Sequence, residues 1–529
     1  MKRFSLLLLT LVLVLSACAT VPQTDSSGLT FVHLNDTYRV GAVEDGNAGG
    51  FSRVVTLVRE LQSDGRDVRI LHGGDFLYPS LESQLWNGLQ MVEAFNFMDA
   101  VAPMYAVAGN HEFDRRGPER LIAAVKASRF DWLGDNYVFK TGDADVDGAL
   151  KPAFTFQAGD KTIGVFSLTL NAEDGGNKRD YIENNGDYLG VAEKTMQALE
   201  AKNVDLIIGV THLHMWQDVE IAGLKAKHPK LAFIVGGHEH EPEHSPGSEG
   251  SAVVMKGASN ARVIWAIDVD FDGAGLATVR ERQVKLDQNI ALDPAYEVLA
   301  DKWRGRLLEK FPFLEARIGT AALPLDGREV TVRNEESNWG NFIVDQMRTA
   351  FGESSDLAFI NGGTLRIDDY IDDDILFEDI GRTFGFSSFL RLTTMTGAEF
   401  RQVMEAGYRG FGPSKGYFPQ TSGFRVCVDR SRNEGDRIVS LQIPTDNGWQ
   451  EIIADEDYSV VVTDYLYGGG DGYDIPKDRP ASPPGSELKY LVLDGVLRAQ
   501  AQGKKVGAPV DSENRRFHEL RESKESCFR

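Results

Sequence analysis

The sequence predicts an α/β protein built from two layered domains. Three observations predict it. From residue 29 to about 285, short apolar runs alternate with segments of helical period. From 326 to about 510 the alternation resumes with a second set of runs and helices. The chain has 529 residues, 42% of them apolar, which is enough for two sizeable cores.

The elements follow in order. Lys2 and Arg3 precede the apolar run FSLLLLTLVLVL, and LSAC follows. A basic start, a short apolar run and small residues make a secretory signal over 1–17, too short for a comfortable membrane span. Leu15-Ser16-Ala17-Cys18 resembles the bacterial lipobox. That resemblance implies cleavage before Cys18, a lipid on Cys18, and, with Ala19 next, an outer-membrane destination facing the periplasm or cell surface. An ordinary signal peptide with an incidental cysteine is the alternative. Residues 18–28 read as a polar tether.

Residues 29–285 form the first domain. Its strands are LTFVHL, DVRILH, APMYAVAG, TIGVFSLTL, VDLIIGVTH, LAFIVGG, SAVVMKG and VIWAIDVDF, and its helices include FSRVVTLVRELQS and AEKTMQALEAKN. Ligands of such folds gather at the carboxyl ends of strands. Residues 286–325 form a linker whose stretch 293–311 reads as one amphipathic helix, with a hinge expected near 312–330. Residues 326–510 form the second domain. Residues 511–529 are highly charged and are expected to fray. Export would permit Cys427 and Cys527 to pair, but FRVCVD favours a plain buried strand cysteine. The net charge of −23 disfavours a nucleic-acid polymer as partner and leaves small phosphorylated ligands open.

Five polar clusters each follow a strand-like run: Asn35-Asp36, Asp75 in GGDFLY, Asn110-His111 with Asp114 in GNHEFD, His212 in THLH, and His238 with His240 in GGHEHE. Each alone is weak, because a lone histidine or Gly-Gly-Asp at a strand end is more often structural. Together they carry the donor types of a two-metal site, in which paired divalent ions clamp both oxygens of an in-line displacement. Alternation along an extended 238–240 segment would place both imidazoles on one side. His33 and His72 read as hydrogen-bond partners behind the ligands, and His214 as facing either the site or solvent. His228, His244 and His518 read as surface residues.

The order D…GD…GNHE…H…GHxH resembles the calcineurin-like metallophosphatases, whose fold is a four-layer α/β sandwich. With the second domain it resembles the bacterial 5′-nucleotidase family. The resemblance implies one divalent metal on Asp36, Asp75 and His240 and another on Asp75, Asn110, His212 and His238. The ions would be Zn, Mn, Mg or Ca, with iron open. It implies a metal-bound hydroxide as attacking group, His111 stabilising the transferring phosphoryl, and Asp114 orienting His111.

In the second domain VRNEESNWGNF, FINGGTLR, PQTSGFRV and YLYGGGDGYD resemble that family's substrate domain. An Arg after a tight Gly turn suits phosphate, and aromatics suit a nucleobase. The resemblance implies Arg333 and Arg366 on the phosphate, Asn361 and Gly423 on the nucleoside, Asp471 on ribose hydroxyls, and Tyr465 with Phe386, rather than Phe384, as stacking walls.

One position departs from the pattern. Tyr38, in HLNDTYRV, stands where the family usually has a metal-binding His. Water can fill the gap, Tyr38 itself can bind, or Tyr78 can: Gly74-Asp75-Phe76-Leu77-Tyr78 resembles the GDxxY of purple acid phosphatases.

The expected function is therefore metal-dependent hydrolysis of extracellular or periplasmic nucleotides, with nucleoside monophosphates as substrate. Nucleotide sugars, cyclic nucleotides and thiosulfate esters are alternatives on the same scaffold. So is a lipid-anchored binding protein with a degenerate metal site.

Overall fold

A computed structural model describes residues 28–171, 178–352, 355–410, 415–512, 515–520 and 527–528. Cys18 and the predicted signal lie outside the described residues. No described helix is long and apolar enough to cross a membrane.

Two six-stranded sheets build the first domain. One runs in the order Ala277–Lys285, Val263–Phe271, Leu29–Leu34, Asp67–His72, Met104–Val107, Asp131–Leu133. The other runs Glu243–Ser245, Val253–Lys256, Leu231–Gly236, Leu206–His212, Lys161–Thr169, Phe154–Ala158. The inner strands pair in parallel: Leu29–Leu34 with Asp67–His72, and Leu206–His212 with both its neighbours.

Strand alternation explains the layering. Leu206, Ile208 and Val210 join a core shared with Phe31, Val32 and Ile70, so they face the first sheet. Ile207 and Ile234 point oppositely, into a core with Met196, Leu199 and Ile221 of the outer helices. Helices Phe51–Ser63 and Leu89–Val101 cover the other outside face. The result is helices, sheet, sheet, helices: the four-layer sandwich.

Helix Pro294–Lys310 does more than connect. Asp293 caps it, accepting from the Ala295 and Tyr296 amides at 3.0 and 2.9 Å, and Pro294 occupies the first turn. Of its buried stripe Tyr296, Leu299, Trp303 and Leu307, the first three join the first domain's core. Tyr296 meets Phe51 and Phe97, and Trp303 meets Trp86.

The second domain holds two four-stranded sheets. One is ordered Leu390–Thr396, Asp457–Thr463, Leu357–Asn361, Pro419–Ser422, and the other Gly448–Glu451, Ile438–Thr445, Arg425–Asp429, Phe517–Leu520. Leu357 and Phe359 enter one core and Ala358 and Ile360 the other, so the first of these sheets is buried on both faces.

The charged tail does not fray at Phe517–Leu520, which adds a parallel strand to Arg425–Asp429. Phe517 explains this, because it is buried against Tyr408 and Phe418. Cys427 is a buried strand residue, and it is also bonded to Cys527, with their Cα atoms 5.7 Å apart. The expectation of an unpaired Cys427 is thus corrected. His228, expected at the surface, is buried and paired with Glu200 at 3.0 Å.

Salt bridges stitch the two domains. Asp368 binds Arg262 and accepts from Ser259 Oγ at 2.8 Å. Glu378 takes Arg304 at 2.7 Å and lies 3.6 Å from Arg39.

Candidate metal centre and substrate cleft

The acidic ligands sit where strands end and the backbone turns sharply. Asp36 follows Leu29–Leu34 at φ 51°, and Asp75 follows Asp67–His72 at φ 60°. Gly74, at φ 86°, makes the second turn possible: a Cβ there would lie 2.7 Å from both the Gly109 amide nitrogen and His212 Nδ1. At Gly109 a Cβ would meet Asp75 Oδ1 at 2.1 Å, so the backbone must pass bare beside the carboxylate. His238 and His240 have φ of 88° and 63°. They converge through this twisted turn, not through strand alternation as expected. Glu239 between them turns away to Lys256.

The donors meet. Single ligand atoms of Asp36, Asp75 and His212 all lie within 4.8 Å of one another. His240 Nε2 is 3.3 Å from Asp36 Oδ1, and His212 Nε2 is 3.3 Å from Asp75 Oδ2. Asn110 Oδ1 lies 3.1 Å from His212 Nε2 and 3.2 Å from His238 Nδ1. The atoms therefore fall into two groups, Asp36 with His240 and Asp75 with His212, Asn110 and His238, which meet at Asp36, Asp75 and His212.

The electrostatics ask for cations. Burial opposes ionisation of Asp36 and Asp75, yet His240 and His212 beside the first, and His212 and His111 beside the second, hold both carboxyls below their usual range. Burial likewise opposes charge on His212, but Asp75 and Asp36 push it up to about 10. Burial, with His214 and His212 nearby, holds His238 well below its ordinary value, which leaves a neutral imidazole. Two buried carboxylates, imidazole nitrogens and the Asn110 amide oxygen together are a donor set that fits divalent ions.

Tyr38 stands inside this group. Its hydroxyl is 2.9 Å from His240 Nε2 and 3.4 Å from Asp36 Oδ1. Burial, then Asp36 and Asp75, push its phenol well above the usual value, so it is a neutral phenol here. Tyr78 lies elsewhere: its ring sits under the Arg115 guanidinium at 4.1 Å and is 6.4 Å from Phe386.

Supporting groups hold the loops. The Glu112 carboxylate accepts from the amides of Asp75, Phe76, Leu77 and Gly109 at 3.0, 2.8, 2.9 and 2.5 Å. Burial, then Asp75, push it up to about 7. His72 Nε2 is 2.9 Å from Thr37 Oγ1, while its Nδ1 accepts from the Gly74 amide at 3.1 Å. His33 reaches the carbonyls of Gly236 and Leu71 at 3.0 and 3.3 Å. The His214 ring lies 4.6 Å from that of His238, so it faces the site.

His111 Nδ1 is 2.9 Å from Asp114 Oδ2, and its backbone amide donates to Asp75 Oδ1 at 2.8 Å. Arg366 of the second domain donates from Nη2 to His111 Nε2 at 2.9 Å. Arg366 Nη1 and Arg333 Nη2 share Glu329 Oε1 at 3.2 and 2.6 Å. Phe386 stands beside His111, with ring centroids 5.7 Å apart, and Arg366 lies 5.3 Å from its ring. Phe384 is a core residue. Asp471 accepts from Tyr465 Oη at 2.7 Å and from Asn361 Nδ2 at 2.8 Å. Among the described residues no ring contact joins Phe386 to Tyr465.

Gly423 is not brought to this cluster. Ala358 pairs with Ser422 and Asn361 with Pro419, so Gly423 lies past the opposite end of the strand from Asn361. There it serves a left-handed turn, where a Cβ would strike Asp356 O. Gly416 sits nearer, its carbonyl accepting from the Gly363 amide at 2.7 Å. Sequence reasoning did not single out Glu329 or Glu112. Only Glu112, inside GNHE, carried a readable signal.

Residues 29–242 match the family described as Calcineurin-like phosphoesterase, and residues 317–478 match 5'-nucleotidase, C-terminal domain. The Trifunctional nucleotide phosphoesterase protein YfkN of Bacillus subtilis (strain 168) is 26% identical over 513 residues, covering 89% of this chain and 33% of that protein. The chain thus spans a third of that relative's length. The 5'-nucleotidase of Homo sapiens is 25% identical over 509 residues, covering 87% of this chain and 86% of the relative. The crystal structure of a 5'-nucleotidase precursor from Thermus thermophilus superposes with a TM-score of 0.80 at 24% identity, covering 94% of this chain and 100% of that one.

Proposed function

The chain belongs to the 5′-nucleotidase family of calcineurin-like metallophosphoesterases, and from that premise we propose that it hydrolyses nucleoside monophosphates to nucleoside and phosphate. One observation carries the choice of substrate. Arg366 of the second domain reaches His111 of the first, on the edge of the Asp36–Asp75–His212 cluster. A phosphate arm and a metal-ready cluster therefore share one cleft. Asp471, Asn361 and Tyr465 supply polar and flat surfaces suited to a nucleoside. Relatives named 5'-nucleotidase support the same reading.

The chain's own residues divide the work. Divalent ions held by Asp36, Asp75, Asn110, His212, His238 and His240 would polarise the phosphoryl oxygens and lower the pKa of water. Arg366 Nη2 would leave His111 Nε2 for a phosphate oxygen while Nη1 stays on Glu329. His111 Nε2, freed, would take a proton from solvent, with Asp114 stabilising the imidazolium through Nδ1, and pass that proton to the leaving oxygen. Asp114 holds the His111 ring through Nδ1. The site is proposed to act outside the cytoplasm, tethered by a lipid on Cys18; palmitate labelling that survives Cys18→Ser would contradict the tether.

The test is phosphate release from AMP with Mn²⁺, wild type against His111→Ala. Equal inactivity of both across nucleotides would sink the proposal.

A further inference from the structure

Glu329 is an acidic residue among the phosphate-facing arginines, and the proposed chemistry gives it no step. It belongs to the short helix Glu329–Val332 of the second domain and is 3% exposed. Its Oε2 is bonded to His240 Nδ1 of the first domain. Its Oε1 accepts from Arg333 at 2.6 Å and Arg366 at 3.2 Å. Its backbone amide donates to Asp368 Oδ1 at 2.9 Å, and Asp368 is gripped by Arg262 across the seam.

We propose that Glu329 is a positioning residue that joins one metal ligand, His240, and both phosphate arginines into a single buried network, so that the two halves of the site are set together. The inference rests on the functional reading above.

Three physical arguments support it. An imidazole that offers Nε2 to a cation carries its proton on Nδ1. A carboxylate accepting that proton fixes the tautomer and the ring and strengthens the donor. Here Nε2 of His240 faces Asp36 at 3.3 Å, so Nδ1 is the remaining handle, and Glu329 holds it. Second, each guanidinium has five N–H groups, and Glu329 engages one nitrogen of each. Arg366 therefore keeps Nη2 available on the His111 side. Third, without Glu329 two buried guanidiniums would share a cleft with no carboxylate between them, a costly arrangement that would splay them.

A plain structural salt bridge would alter stability alone. A positioning role alters metal affinity and substrate KM together, although these belong to different domains. The test uses the full chain stripped of metal. Mn²⁺ is titrated by calorimetry, AMP kinetics are recorded with saturating Mn²⁺, and melting is followed by circular dichroism. Glu329→Gln is expected to weaken one of the two Mn²⁺ sites by roughly 10- to 100-fold, and to raise KM for AMP. Glu329→Asp, which restores charge on a shorter arm, is expected to fall between Gln and wild type on both readouts. Arg333→Ala is expected to raise KM without changing Mn²⁺ affinity.

Wild-type Mn²⁺ affinity in Glu329→Gln, or a lower melting point with Mn²⁺ affinity and KM both unchanged, would overturn the proposal. If Glu329→Gln does not fold, Glu329→Asp decides: Mn²⁺ binding equal to wild type refutes the role. Wild type that binds two Mn²⁺ but spares AMP would refute the nucleotidase reading, and the Mn²⁺ titration would still decide the role of Glu329. Wild type that binds no Mn²⁺ would overturn both.

Discussion

Replacing Lys256 by Met should destabilise the first domain severely. Lys256 ends the strand Val253–Lys256 and has no solvent exposure. Its ammonium lies 2.5 Å from Glu239 Oε2, 3.0 Å from Asp218 Oδ2, 2.5 Å from Leu213 O and 2.9 Å from Gly237 O. Burial works against its charge, but Glu239 and Asp218 raise its pKa above the usual value. Met fills similar volume and leaves two buried carboxylates facing each other. Breaking a buried pair by removing one partner costs about 3–5 kcal/mol. For a domain of this size 1 kcal/mol moves Tm by roughly 2–4 °C, so the expected drop is roughly 6–20 °C. Differential scanning calorimetry of wild type and Lys256→Met at pH 7.5 measures it. A second readout is local: Glu239 sits between His238 and His240, so Mn²⁺ binding should weaken as well. A Tm within about 2 °C of wild type would show that the carboxylates find other partners or protonate cheaply, and would refute the reasoning.

Other outcomes are expected with it. The Cys427–Cys527 bond spans a sequence separation of 100, so Cys527→Ser should cost up to about 4.7 kcal/mol on the chain-entropy estimate, read by urea unfolding; no loss would show that the strand at 517 holds the tail unaided. His111→Ala should lower kcat on AMP by roughly 10²- to 10⁴-fold, with Asp114→Asn milder, and a change confined to KM would remove His111 from the chemical step. Asp379 lies buried at the start of helix Phe377–Thr383, accepts from the Leu376 amide at 2.8 Å, and is pushed up to about 6 by burial. Its neutral form favours folding, so its contribution is full below pH ~4 and is lost as pH rises through about 6, a swing of about 3 kcal/mol. Asp379→Asn should flatten that slope in urea midpoints taken at pH 4 and 7; parallel slopes for both proteins would contradict it.

Much of the first domain was readable because its constraints are local. Strand alternation is written in runs such as LIIGVTH, and the polar residues that close them are of types that only cation chemistry demands together. Arg366 was readable from the Gly turn before it, whereas Arg333 rested on the family resemblance alone. What escaped was set by distant partners. Glu329 meets His240 across a sequence separation of 89, and one carboxylate in a charged stretch announces nothing about that. Glu112 was marked by its place in GNHE, but its role, accepting from four backbone amides, is not displayed by the motif. Gly423 was misplaced because a Gly after a strand reads the same whether it lines a pocket or only reverses the chain. In the tail, charge outweighed Phe517 on the page, while burial of that one ring decided the structure.

Helix Pro294–Lys310 also says where this protein can be cut. Its side chains complete the first domain's outer layer, with Tyr296 roofing Phe51 and Phe97 and Trp303 closing over Trp86. A fragment ending at 285 would therefore open an aromatic face to water, whereas one ending at 311 keeps its lid. The pivot for any swing of the second domain is confined in the same way. It would lie beyond Trp303, the last residue of this helix that joins the first domain's core, since Arg304 already pairs with Glu378 of the second domain.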